Sequence, residues 1–154
     1  MLTTKQLWNC TVILPERTNK RLACCRYSTD QMMTDSITVT LPWPDRALWQ
    51  NSRAHWTIVR SATRALRQRA HWEMQWAGSR YLTITSRPVL TWTIQPPDKR
   101  RRDMPNVIGA LKPAIDGIQD ALGIDDQHFL HQWPQEFGEP VTGGKITVTI
   151  SNGG

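Results

Sequence analysis

Three stretches of the chain alternate strictly between apolar and polar positions. Ile37, Val39 and Leu41 interleave with Ser36, Thr38 and Thr40; Leu90, Trp92 and Ile94 with Thr91, Thr93 and Gln95; Ile146, Val148 and Ile150 with Thr147, Thr149 and Ser151. Neighbouring side chains of a strand point to opposite faces, so this period of two predicts three half-buried strands with a threonine-rich wet side. Gly143-Gly144, just ahead of the last stretch, is a turn signal. It suits a hairpin with an ill-defined strand around residues 128–134. Residues 80–86 fit either a further short strand or a loop.

Between the first two strands, Trp56, Val59, Thr63, Leu66, Ala70 and Met74 recur at steps of three and four, which predicts the buried face of an amphipathic helix. A second helical pattern runs through Ile108, Leu111, Ile115, Ile118 and Leu122, with Gly123 as a C-terminal stop. Proline costs roughly 3 kcal/mol inside a helix but is harmless in the first turn, so Pro113 places the start of the regular helix at Lys112 or Pro113, with residues 107–111 as a lead-in turn. Lys112 and Asp116 then sit four apart and project together. The expected architecture is a single α+β domain over residues 36–154, a small mixed sheet of about four strands with two main helices. Residues 1–35 carry little periodic apolar signal and read as an N-terminal extension. It is either a flexible tail or an over-extended reading frame, since Met33 could itself be a start.

Nineteen Lys and Arg against thirteen Asp and Glu give a net charge of +6, which favours an anionic partner, nucleic acid or membrane surface. No run of residues approaches the roughly 20 apolar positions of a membrane span, and no secretory leader is recognisable at the N-terminus, so a cytoplasmic protein is expected. Cys10, Cys24 and Cys25 are odd in number and lack metal-ligand spacing, so neither a disulfide framework nor a zinc site is indicated. Eight Trp against two Phe and two Tyr are read as core and interface ahead of stacking on bases.

The charges are not evenly spread. Arg60, Arg64, Arg67 and His71 fall within one narrow strip of the first helix, with Arg53 ahead of it. Such a stripe is either a solvated face or a row of phosphate contacts. Pro96-Pro97-Asp98-Lys99-Arg100-Arg101-Arg102-Asp103-Met104-Pro105-Asn106 leads four cations into an acid at the end of a strand, and Lys112, Asp116 and Asp125-Asp126 follow. Cations that hold a phosphate backbone, next to carboxylates that bind a hard divalent ion, are the pairing that phosphodiester hydrolysis uses. On spacing alone, charge runs more often decorate solvated loops and an Asp-Asp pair more often caps a turn. The four histidines, His55, His71, His128 and His131, have no spacing that marks a metal or nuclease site.

The string Arg100-Arg101-Arg102-Asp103-Met104-Pro105-Asn106, then Lys112, Asp116-Gly117 and Gly123-Ile124-Asp125-Asp126, resembles the RusA family of Holliday-junction resolvases, the crossover junction endodeoxyribonucleases. So do the opening Ile37-Thr38-Val39-Thr40-Leu41-Pro42-Trp43-Pro44 and the closing Gly143-Gly144-Lys145. The resemblance implies a homodimeric, Mg²⁺-dependent endonuclease of recombination and repair, of host or prophage origin. Such an enzyme binds four-way junction DNA and nicks opposing strands symmetrically, with no small-molecule cofactor and no membrane. By resemblance Asp103, Lys112 and Asp126 are the catalytic set, with Asp103, Asp126 and Asp125 for the metal. Lys99, Arg100, Arg101, Arg102, Arg60, Arg64 and Arg67 are candidate DNA contacts. Asp116 matches an acidic helix position of structural character. The family places a second acid two residues after the first, where this chain has Pro105. Two readings follow: Asp125, Asp116 or the Asn106 carbonyl covers for it, or the protein binds junctions and cleaves them poorly or not at all.

Overall fold

The computed structural model describes residues 35–84 and 86–153, together with the backbone of residues 5–7 and 10–12. The chain divides into two compact units, Met1–Gln31 and Met32–Gly154. In the first, strands β1 (Lys5–Leu7) and β2 (Cys10–Val12) pair antiparallel. The remainder of the expected tail and the side chains of the three cysteines lie outside the described residues.

The second unit carries the fold. Its elements run β3 (Ser36–Pro42), α1 (Trp56–Trp76), β4 (Pro88–Gln95), α2 (Met104–Ala110), α3 (Lys112–Leu122), β5 (Leu130–Gln132) and β6 (Lys145–Asn152). The three alternating stretches form strands as predicted, and they join in one four-stranded sheet of order β3-β6-β4-β5. Because β6 pairs antiparallel with both β3 and β4, the apolar positions align in rows: Ile37, Ile150 and Leu90; Val39, Val148 and Trp92; Leu41, Ile146 and Ile94. All nine are buried. Each contributes about 1.5–3 kcal/mol by leaving water. The opposite face is the threonine face, where the Thr38 and Thr149 hydroxyls bond across β3 and β6 at 2.9 Å. A sheet with one dry and one wet side is what strict alternation encodes.

The expected hairpin between residues 128–134 and the last strand is not formed. β5 pairs with β4, and the pairing is parallel, Val89 opposite Leu130 and Leu90 opposite His131. A parallel pair requires a long crossover, and residues 96–129 supply it through α2 and α3. Gly143 and Gly144 do turn the chain, both at positive φ (82° and 70°), but they lead β6 into the middle of the sheet. Residues 79–81 form a 3₁₀ turn rather than a strand.

The second helical pattern also resolves differently. Residues 104–110 are a separate two-turn helix, α2, and not merely a lead-in, while α3 begins at Lys112 with Pro113 in its first turn. The first turn has no intrahelical use for an N–H, so the proline costs nothing there. α3 ends at Gly123 in the left-handed conformation, φ 67°.

α1 buries Leu66, Ala70 and Met74, but the start of its predicted face is not covered: Trp56 is 64% exposed, and Val59 and Thr63 are only half-buried. α1 crosses α3 around Arg67 and Ala70, where Gly117 lets the helices touch. Trp56 lies eleven residues earlier, roughly 16 Å along the helix axis, beyond the reach of that contact.

Residues 1–32 carry no recognisable apolar periodicity, so a chain begun at Met33 is expected to keep a single cooperative melt near that of the full chain, followed by circular dichroism. A broad or absent transition would make the first unit part of the fold.

Candidate functional site

The loop after β4 is built by its own charges. Asp98 accepts the Arg100 backbone N–H at 2.9 Å and the Arg102 guanidinium at 2.7 Å. These two donors, the backbone one foremost, hold its carboxyl below the usual range. Arg102 also donates to the carbonyls of Asp98 and Arg100 at 2.9 and 2.8 Å, its side chain only 12% exposed and its guanidinium over the Trp43 ring at 5.5 Å. Of the four consecutive cations, Arg102 thus shapes the loop. Lys99, Arg100 and Arg101 face solvent, and among the described residues only Arg100 has a distant acid, Asp98 at 3.9 Å.

Asp103 opens α2 as its N-cap residue, yet its carboxylate accepts no backbone N–H. Pro105, second in the helix, has none to give, which removes one of the usual partners of a cap. Among the described residues the Asp103 carboxylate meets only the Asn106 amide, at 3.3 Å. Pro105 itself is exposed and sits where a helix tolerates proline.

Lys112, the first residue of α3, lies between two carboxylates. It pairs with Asp116 one turn on, at 3.1 Å, and with Asp126 beyond the end of the same helix. The second contact forms because Gly123 turns the chain back and Asp125 caps a 3₁₀ turn at residues 126–128, accepting the Gln127 N–H at 3.2 Å. The bond to Asp126, helped by Asp116 and opposed by partial burial, holds the Lys112 ammonium above its ordinary pKa. Asp126 is held below its own by Lys112 first and Asp125 second. At neutral pH the lysine is a fixed cation and Asp126 a fixed anion.

The structure thus brings Lys112, Asp116 and Asp126 together, with Asp125 next to Asp126 in the chain and engaged as a cap. Asp103 shares no hydrogen bond or ion pair with them. The carboxylates are hard oxygen donors of the kind Mg²⁺ prefers, an ion usually held by one or two carboxylates with water and phosphate completing its shell. No group of three or more His, Cys, Asp or Glu is placed to ligate a metal among the described residues.

The basic stripe of α1 is partly spent on packing. Arg67 forms a two-pronged pair with Asp120 of α3, at 2.6 and 2.8 Å, which ties the two helices together. Arg60 and Arg64 are exposed and have no acid within 4 Å among the described residues. They line a groove with Trp56.

Sequence reasoning passed over His131. It projects from β5 into a stack with Trp133 (centroids 5.3 Å apart, planes at 11°) and Trp92, and its Nδ1 takes the Trp92 indole N–H at 3.2 Å. Burial pushes its pKa down, Asp126 pulls it back up, and Lys112 adds to the lowering. A half-buried neutral imidazole therefore lies within the field of the Lys112–Asp126 pair. The alternation Phe129, His131, Trp133 was the available signal.

No family model matches the chain. It is 35% identical over 141 aligned residues to an uncharacterized protein of Xylella fastidiosa, a match that spans 86% of this chain and 89% of the relative. That span is longer than residues 36–154, so it includes part of the segment before them. At this identity and coverage the chain belongs to the same protein family as the Xylella fastidiosa protein.

Proposed function

We propose that the protein is a Mg²⁺-dependent endonuclease of the RusA type that resolves four-way DNA junctions by symmetric nicking, acting as a homodimer in the cytoplasm. The observation that carries this reading is the Lys112 ammonium held between Asp116 and Asp126, in a chain whose neighbouring helix opens on an uncommitted Asp103 carboxylate. Among the described residues no helix is long and apolar enough to cross a membrane, and the exposed cations suit phosphate.

In this reading Asp103 and Asp126 would hold the ion, with Asp125 as the further carboxylate, and the ion would supply Lewis-acid polarisation of a phosphoryl oxygen and activation of water. Lys112 remains protonated and would face the charge that develops as the P–O bond breaks, stabilising the leaving oxygen as a fixed cation. Lys99, Arg100, Arg101, Arg60 and Arg64 bind and orient the backbone. Pro105 favours a second reading, a junction-binding protein that has lost cleavage. Nicking of a mobile four-way junction with and without Mg²⁺ separates the two, and a gel shift in EDTA separates both from a protein with no DNA role.

Binding is expected to be strongly salt-dependent, each neutralised phosphate adding about −0.9 to the log–log slope on duplex DNA. Arg101→Ala and Arg64→Ala, which remove exposed cations with no acid within 4 Å among the described residues, should each flatten the slope by about that amount without changing Tm. Arg102→Ala should instead lower Tm, because it releases Asp98 and two carbonyls. Slopes that match wild type at unchanged affinity would remove those arginines from the interface.

A further inference from the structure

A cleft of about 410 Å³ opens between the segment after β3 and the arginine loop, and aromatic and cationic side chains line it together. Its aromatic walls are Trp43 and Trp49, both half-buried, with centroids 6.3 Å apart and planes tilted by 41°. Its cationic rim is Arg46, Arg100 and Arg101. Arg46 and Arg101 have no acid within 4 Å among the described residues, and the Asp98 carboxylate is already engaged by the Arg100 backbone N–H and the Arg102 guanidinium.

The walls are held in place. Gly144 comes so close that a Cβ there would lie 2.9 Å from Trp43 Cβ and 3.0 Å from Pro97 Cδ, so Trp43 is seated between the β6 turn and the loop. Arg102, fixed by Asp98, covers the Trp43 ring. Asp45 accepts the Ala47 N–H at 2.7 Å and sets the 3₁₀ turn that carries Arg46 and leads into Trp49. A rigid aromatic face beside exposed guanidinium groups matches a planar heteroaromatic ring joined to a phosphate. Stacking on Trp needs only the π-face of a base, and that face is hidden in a duplex and exposed at an unpaired or unstacked nucleotide. The volume falls within the range of small-ligand pockets.

We propose that this cleft binds a single unstacked nucleotide, its base against the Trp49 indole and its phosphates on Arg46, Arg100 and Arg101. The site deepens the DNA reading given above but does not depend on cleavage. It would seat a base displaced at the branch point of a junction or present in a single strand.

The test uses the full-length protein in EDTA and a short single-stranded oligonucleotide carrying a fluorescent adenine analogue whose emission is quenched on stacking. Binding is expected to quench the analogue. Trp49→Ala should lower affinity about 5- to 100-fold and abolish the quench. Because Trp49 packs against the core rim, Trp49→Phe, which keeps an aromatic face, and the exposed Arg46→Ala are measured with it. Phe should retain most of the quench, and Arg46→Ala should weaken binding while leaving the quench of the bound state. An oligonucleotide with an abasic site should bind more weakly to wild type and equally to Trp49→Ala. Equal binding of abasic and intact strands to wild type, or no quench at saturation, overturns the proposal. Competition by inorganic phosphate that is as strong as that by the oligonucleotide overturns it too, leaving an anion patch only. If four-way junctions are neither cleaved nor preferred over single strands while the quench persists, the resolvase reading fails and the nucleotide cleft stands.

Discussion

Asp103→Asn and Asp126→Asn are expected to abolish nicking of a four-way junction in Mg²⁺ while leaving junction affinity unchanged or higher. Each removes a carboxylate that would hold the ion, and each also relieves repulsion of the phosphates, so activity and affinity move in opposite directions. Lys112→Met should cost on the order of 100- to 1,000-fold in rate if, as proposed, it removes the cation that would face the leaving oxygen. Asp125→Asn isolates the question left by Pro105. Asparagine caps a turn as well as aspartate does, so the 3₁₀ turn should survive, and a severe loss of nicking at unchanged Tm would assign Asp125 to the metal. Pro105→Asp completes the set. Position 105 is exposed and in the first turn of α2, where an acid is tolerated or favoured. Nicking by the natural chain, improved only modestly by this change, identifies an enzyme with a rearranged site. Binding without nicking until Pro105→Asp switches it on identifies a junction binder on a nuclease scaffold. If neither version binds or cleaves a junction at any Mg²⁺ concentration, the assignment is lost.

The largest structural effect is expected at Gly117. A Cβ there would run into the Arg67 carbonyl oxygen of α1 and stand 2.9 Å from Ala70 Cβ, so Gly117→Ala must push α1 away from α3. The partner is helix backbone and cannot swing aside. Overpacking of this kind costs about 3 kcal/mol, which lowers Tm by on the order of 10 °C in a domain of this size. Gly109→Ala is the matched control. Its Cβ would meet only the far end of the Gln50 side chain, at 3.1 Å, and alanine is the better helix former, so Tm should hold or rise. Equal melting of the two variants would mean that the α1–α3 contact is looser than the structure has it.

The strands were legible because both of their faces are marked, one by Ile, Leu and Val and the other by Thr. What was not legible is what long-range geometry decides. Nothing in Leu130-His131-Gln132 says that three residues will pair in parallel with β4, because that follows from where the α2–α3 crossover delivers the chain. Pro113 announced the start of α3 but also drew attention from α2, whose Val107 and Ala110 are buried. In the candidate site, the Lys112–Asp116 pair could be read from a spacing of four, whereas Lys112–Asp126 depends on the Gly123 turn. Likewise Arg67 looked like one cation of a stripe until Asp120, which lies 53 positions away, was seen to hold it.

β6, at residues 145–152, is flanked by β3 and β4 and shares all three apolar rows of the sheet. Without β6, β3 and β4 have no common neighbour, because neither pairs with the other. The pairing that joins β3 to the rest of the sheet is made between segments more than a hundred residues apart, such as Ile37 and Ile150, a topology that closes slowly and makes partly folded chains clients for chaperones.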